Sequence, residues 1–307
     1  MSKLKHRLAI RLLRFSGKLP FSWTQTLGLW AGRLAWVAKG RARSTTDINI
    51  KLCLPELTTQ EQQQLSLKSL AHTGMTALEI PYIWEQPNKK PLALIKATEG
   101  LELVDRALAS GKGVILLAPH LGNWELGGLF FSSRYRMAAL YSPPKHPEFE
   151  DYMVQVRSRL GAELVPGTRK GLVRLIRMLE QGGVIGILPD QSPINSKGAV
   201  FAPFFGIEVR TMTLAQKLIQ KSGARPLVAF AQRLDKGTGF KIVVQEAEPG
   251  ITSADPVTAA TALNQSIEAA IRTSPEQYQW EYKRLRHRPP GCETPYNPGR
   301  ICREEDT

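Results

Sequence analysis

Two short, wholly apolar runs stand out near the middle of the chain. Residues 114–118 follow Gly111-Lys112-Gly113, and residues 184–188 follow Gly182-Gly183. Uninterrupted runs of this length between turn residues mark strands buried on both faces of a sheet. Residues 137–141, 227–232 and 241–245 add three strand candidates, the last two joined through Gly237-Thr238-Gly239 as a hairpin. Helical patterns fall between and around them at 101–110, 152–160, 171–180 and 255–272, the last rich in alanine. Alternation of the two kinds predicts an α/β fold, a mixed sheet flanked by helices. Ahead of it, Thr58 opens a capped amphipathic helix carrying Leu65, Leu67, Leu70, Ala71 and Met75, and residues 86–90 read as a loop. From about Pro289 the chain is rich in proline, glycine and charge and reads as an irregular tail.

The N-terminus is patterned differently. Residues 19–38 are apolar over about the 20 residues that a bilayer crossing needs, with Trp23, Trp30 and Trp36 as interfacial anchors. Arg33 and the polar Thr24, Gln25 and Thr26 oppose a true span, since central arginine costs about 2.5 to 3.5 kcal/mol on insertion scales. A helix lying in the interface is expected; a span and a helix packed on the domain are the alternatives. No small-residue cleavage site follows, so the segment does not read as a signal peptide.

Charge sharpens this picture. The 307 residues carry 41 Lys and Arg against 27 Asp and Glu, a formal +14, which favours negatively charged partners. Ten of the basic residues (Lys3, Lys5, Arg7, Arg11, Arg14, Lys18, Arg33, Lys39, Arg41 and Arg43) precede the first acid, Asp47. Leu and Trp interleaved with them suit an anionic lipid surface better than nucleic acid. Membrane lipids are therefore the expected partner and nucleic acid is not. With 42% hydrophobic residues the remainder can bury a large core. We expect a membrane-associating arm at 1–43, a catalytic domain at 44–290 and a tail at 291–307. Cys53, Cys292 and Cys302 have neither metal-type spacing nor a disulfide framework, which fits a reducing cytoplasm.

The chemistry concentrates where the run at 114–118 leads into Pro119-His120-Leu121-Gly122-Asn123-Trp124-Glu125. On one continuous helix five residues turn through about 500°, leaving His120 and Glu125 roughly 140° apart. A bend at Gly122 and Asn123 removes that obstacle. The expected arrangement has Glu125, in the first turn of the next helix, accepting the Nδ1 hydrogen of His120, with Nε2 facing a cleft as a general base. The same spacing also suits a plain structural pair. No Gly-x-Ser-x-Gly elbow, zinc helix, Walker loop or complete dinucleotide fingerprint competes with it.

The His-x-x-x-x-Glu segment resembles the lysophospholipid acyltransferase superfamily, and residues 119–125 resemble its bacterial lipid A late acyltransferase branch. Further ordered blocks resemble that branch as well: 43–55 with Asn49, Tyr141-Ser142-Pro143 with Arg157 and Gly161, Leu188-Pro189-Asp190-Gln191, 200–206 with Thr211, and Tyr278-Gln279-Trp280 leading into 284–289. Glu208 and Arg210 depart from the pattern, standing where proline or small apolar residues are expected.

The resemblance implies a glycerolipid-acyltransferase-like fold and a general base at His120 partnered by Glu125. It further implies an acyl carrier protein thioester as donor and a hydroxyl of a lipid A precursor as acceptor, with no metal or other cofactor. It places the protein at the inner membrane, with its catalytic domain on the cytoplasmic face. Arg157 matches a basic active-site position, able to clamp a phosphate or steady oxyanion charge. Asn123, Arg169 and Asp190 are further candidates for substrate contact. Asp190 can alternatively orient Arg157 or cap the strand, and Arg169 with Lys170, Arg174 and Arg177 also reads as a solvated helix face. A phospholipid or other glycolipid acceptor with coenzyme A as donor, or a non-catalytic membrane-surface binder, are the alternative functions.

Overall fold

The computed structural model describes residues 3–144, 146–193, 196–297 and 299–302. Residues 1–2 of the expected arm and 303–307 of the expected tail lie outside them. Four helices come first: α1 (Lys3–Ser16), α2 (Phe21–Val37), α3 (Arg41–Cys53) and α4 (Thr59–Glu85). After α5 (Lys89–Leu92), strands and helices alternate through β1 (Ile95–Glu99), α6 (Glu102–Ala109), β2 (Val114–Leu117), α7 (Trp124–Arg134), β3 (Met137–Tyr141) and α8 (Pro147–Ser158). β4 (Glu163–Pro166), α9 (Arg169–Glu180), β5 (Val184–Ile187), β6 (Ala199–Phe204), β7 (Ile207–Met212) and α10 (Leu214–Ser222) continue it. β8 (Arg225–Arg233), β9 (Phe240–Glu246) and α11 (Pro256–Thr273) close the domain.

Seven strands form one sheet in the order β1-β9-β8-β2-β5-β3-β4. β2, β3, β4, β5 and β8 run parallel, whereas β9 is antiparallel to β8 and carries β1 parallel beside it. The expected mixed sheet is thus present, and Gly237-Thr238-Gly239 does join β8 to β9. The two expected central strands are buried at every position. Their alternate side chains feed two cores: Ile115, Leu117, Ile185 and Ile187 on one face, Val114, Leu116 and Val184 on the other.

Helix starts are chemically specified. Thr58 and Glu61 form a reciprocal capping box on α4, while Asn123, Thr168 and Asp255 cap α7, α9 and α11 with their side chains. Two expectations need correction. The helix from Thr58 runs on through Pro81 to Glu85, because its later turns are buried between α2 and the sheet core. The loop expected at 86–90 is shorter, since Lys89 already begins α5. Sequence reading also missed β1, β4 and the separate β6–β7 hairpin. β1 and β4 are sheet edges with little burial to pattern them. The hairpin turns at Phe205 and Gly206, both at positive φ (49° and 75°), the conformation of a tight two-residue turn.

α2 packs on α4 with its small face inward. Cβ atoms built on Gly32 and Gly74 would stand 2.0 Å from the Leu70 carbonyl oxygen and 2.2 Å from that of Gly28, so the two backbones touch. The opposite face presents Trp23, Leu27, Trp30, Leu34 and Val37 to solvent, and α1 adds Leu8, Leu12 and Phe15. No helix among the described residues is long and apolar enough to cross a membrane.

Gly32→Val should therefore force α2 off α4 and lower stability by about 1–3 kcal/mol or more. Thermal unfolding measures this, and an unchanged Tm would contradict the close packing.

Candidate active site

Between β2 and α7 the chain turns sharply, and backbone hydrogen bonds fix the turn. The Ala118 N–H donates to the Ile187 carbonyl (2.8 Å), Gly122 to Gln277 (3.0 Å) and Asn123 to Ala231 (2.9 Å), while the His120 carbonyl accepts from Gln279 (3.1 Å). Gly122 lies at φ 65°, and a Cβ there would meet the Ala231 carbonyl oxygen at 2.0 Å. The bend expected at Gly122-Asn123 is real, and only glycine fits it.

What the bend produces differs from the expectation. The register that pairs Leu117 with Ile187, continued three residues beyond the strands, sets His120 opposite Asp190. One oxygen of Asp190 accepts the His120 backbone N–H at 2.9 Å, and the other lies 2.9 Å from His120 Nδ1. A carboxylate at Nδ1 means that this nitrogen carries the hydrogen and donates it, leaving the lone pair on Nε2. Burial works to raise the Asp190 pKa, but the electrostatic attraction and hydrogen bonds of His120 outweigh it and hold the carboxyl below its ordinary value. Trp124 stands edge-on to the imidazole, ring centroids 4.9 Å apart, and limits its movement.

Glu125 is engaged elsewhere. It accepts from Trp84 Nε1 (2.9 Å), from Arg157 Nε (3.0 Å) and, closer still, from Arg157 Nη2. The expected Glu125–His120 bond is corrected accordingly: Asp190 takes the imidazole, and Glu125 takes the arginine. A forked arginine–carboxylate pair is stronger and more directional than an imidazole contact, and Arg157 of α8 faces Glu125 directly. Arg157 is thus neither a solvated helix arginine nor an open clamp, because Glu125 occupies one edge of its guanidinium.

Below the turn lies a second polar cluster that sequence reading missed. Asn123 is fully buried; its Oδ1 caps α7 at the Leu126 N–H (3.0 Å) and its amide donates to Glu79 (2.9 Å). Glu79 also pairs with Arg233, and Gln25 of α2 donates to it at 3.2 Å. Arg233 in turn donates to Thr76 (2.9 Å) and to Nδ1 of His72 (2.8 Å). Burial tends to raise Glu79, but Arg233 beside it holds the carboxyl below its ordinary value. Burial and then the Arg233 charge push His72 down to about 3.

A cavity of about 780 Å³ opens at the carboxyl ends of β2 and β5, within the range of small-molecule sites. His120, Trp124, Glu125, Arg157 and Gln191 line it at one end, and apolar side chains such as Leu129, Phe131 and Met137 line the rest. Gly128 also lines it with open space where a Cβ would be. Arg159, Lys197 and Lys217 reach its wall too, and Glu125 is the one acid there among the described residues. Asn123 and Arg169 do not line it: the first is the cap just described, the second an exposed residue at the start of α9. Lys170, Arg174 and Arg177 face a separate groove along α9 with Arg136. Among the described residues no cluster of His, Cys, Asp and Glu is arranged to hold a metal ion.

The titrations have a defined sign. Below pH 6.5 the unfolded chain protonates His72 while the folded chain resists until about pH 3, so stability should decline as pH falls through that window. Asp190 and Glu79, both depressed carboxyls, add a further loss at the acid end. His72→Gln should flatten the upper part of this limb in a series of thermal melts. Equal slopes in the two proteins would remove His72 as the cause.

Residues 3–287 match the family described as bacterial lipid A biosynthesis acyltransferase. The chain is 27% identical to the lipid A biosynthesis lauroyltransferase of Escherichia coli K12 over 290 residues, 94% of each chain. It is 29% identical to the palmitoleoyltransferase of the same strain over 275 residues, covering 89% of this chain and 88% of that one. It is 28% identical to the myristoyltransferase over 273 residues, 88% and 82% of the two chains. A match over nearly the whole chain places it: the chain belongs to the bacterial lipid A biosynthesis acyltransferases and is an acyltransferase.

Proposed function

We propose that the protein transfers a fatty acyl group from the thioester of acyl carrier protein to a hydroxyl of a lipid A precursor, with His120 as general base. The observation that carries the reading is the Asp190–His120 pair at the end of a large apolar cavity. With Nδ1–H given to Asp190, Nε2 takes the proton of the acceptor hydroxyl as its oxygen attacks the thioester carbon. The tetrahedral intermediate collapses with loss of the thiolate, and the same Nε2–H protonates it. The acyl chain occupies the apolar part of the cavity. Arg157, Arg159, Lys197 and Lys217 favour a donor and an acceptor that are both anionic. Glu125 keeps Arg157 at the cavity wall, and Trp84 keeps Glu125 in place.

The arm supports an inner-membrane site of action, with the catalytic domain on the cytoplasmic face. In an ordinary surface helix the large apolar stripe is buried and the polar face is wet. α2 is inverted: Thr24, Gln25, Gly28 and Gly32 are buried, and Trp23, Leu27, Trp30 and Leu34 face out. With the basic residues around it, that outward face suits an anionic lipid surface, on which α2 lies rather than crosses.

His120→Ala should abolish acyl transfer in membranes carrying the variant, a loss of about 10²–10⁴ or more, and retained transfer would refute the base assignment. Asp190→Asn should cost a comparable factor by freeing the tautomer, and transfer undiminished in that variant would exclude the pair. Trp23→Ser with Trp30→Ser should release the protein from anionic phosphatidylglycerol vesicles in a flotation assay. Undiminished flotation would show that α2 is not the attachment.

A further inference from the structure

The nitrogen on which the proposed chemistry depends is not open. Gln191 places its side-chain Nε2 3.3 Å from His120 Nε2, and the same nitrogen donates to Gln279 Oε1 at 3.4 Å. The second contact fixes which end of the amide faces the ring. Since Nδ1–H is given to Asp190, Nε2 has a lone pair, and Gln191 is its donor. Two consecutive residues thus address the two ring nitrogens, Asp190 from behind and Gln191 from the cavity, whose wall Gln191 shares. Gln279 is anchored through its own backbone N–H on the His120 carbonyl, so the cover is built into the turn.

Both contacts of the Gln191 amide are longer than the usual 2.7–3.2 Å range, so they are weak and displaceable. A base with a free lone pair beside a bound thioester would also activate water. Water would add to the thioester carbon, Nε2 would take its proton and return it to the departing thiolate, and a free fatty acid and a thiol would result. We propose that Gln191 is the residue that selects an alcohol over water, by covering His120 Nε2 until an acceptor lipid displaces it. The inference rests on His120 as the base. An acceptor hydroxyl arrives on a large lipid whose remaining contacts offset the displacement, and a water molecule brings no such contacts. Weak cover therefore discriminates strongly. The opposing charge near the ring comes from Asp190 on the loop after β5 and from Glu281, with Glu125 and Arg157 paired to each other on α7 and α8.

The test uses the full-length protein in membranes, a long-chain acyl thioester, and two readouts: free fatty acid released without acceptor, and acyl transfer with it. For Gln191→Ala the ratio of hydrolysis to transfer should rise about tenfold, a fraction of the roughly 10²–10⁴ that a positioned base contributes. A merely structural role would lower both rates together, so an unchanged ratio overturns the assignment. Gln191→Glu keeps the shape and carries the test should the alanine variant not fold. A carboxylate at Nε2 favours the imidazolium, so the acidic limb of the transfer pH profile should move to higher pH. A limb that stays in place overturns the contact. His120→Ala in the same assays separates the two ideas. Retained transfer there defeats the base assignment, whereas loss of both activities there, with an unchanged ratio in Gln191→Ala, defeats only the covering role.

Discussion

One carboxylate organises the site. Asp190 is buried, 3% exposed, and a buried carboxylate is tolerable only when its oxygens accept hydrogen bonds. Two of them come from one residue, the backbone N–H and the ring of His120, and the buried Tyr278 side chain adds another. A single side chain therefore sets the path of the turn after β2 and the orientation of the imidazole together. It can do so only because β2 and β5 are adjacent, parallel and in a register that puts residues 70 apart opposite each other, as Leu117 with Ile187. Slipping the pairing by one residue would reverse the faces of two strands buried on both sides, and two cores oppose that.

α4 carries the constraint outward. Along this one helix Ser69 donates to the Tyr278 carbonyl, Thr76 to the Gly122 carbonyl, Glu79 accepts from Asn123, and Trp84 donates to Glu125. Each holds a different part of the turn or its supports. The buried Glu79–Arg233 pair gains little net stability from its charges alone, since desolvation offsets most of their attraction. Its value is geometric, because removing either partner would leave the other charged and uncompensated beneath the turn after β2. The other side of α4 touches α2 at backbone distance, and Gln25 of α2 shares the Glu79 carboxylate. The arm and the turn are thus neighbours through one helix.

The central strands, the β8–β9 hairpin and the main helices were legible because each follows from a local rule: an apolar run bounded by glycines, a helical period, a cap. β1, β4 and β6–β7 were not, because edge strands leave side chains exposed and Pro203 within β6 disguises it. His120, Glu125 and Arg157 were legible as residues that meet at one end of the cavity, whereas Asn123 and Arg169 stand away from it and the bond from His120 to Asp190 was not foreseen. His120 and Glu125 are close in sequence, which suggests a pair; yet closeness along the chain decides little once a sharp turn intervenes. Asp190 is seventy residues away, and the clue to its role lay in a symmetry of position. The apolar runs starting at Val114 and Val184 each end in the same number of residues before His120 and Asp190. Reading that correspondence requires knowing that β2 and β5 are neighbours, and sheet order is a tertiary fact. Arg157 and Glu125 share this lesson, since α8 meets α7 only in the fold.

The inverted pattern of α2 bears on what the cavity receives. A stripe at Trp23, Leu27, Trp30, Leu34 and Val37 has the spacing of one helix face, and ordinary burial would turn it inward. Glycines at 28 and 32 make the opposite face fit α4 more closely than any large side chain could, so the packing itself selects which face is left outside. On the proposed reading this arrangement has a consequence for substrate entry. A lipid acceptor that stays in its bilayer can reach a cavity lined by basic residues only if the domain is held close to the headgroups. A helix fixed rigidly to α4 then holds it there without needing to cross the membrane.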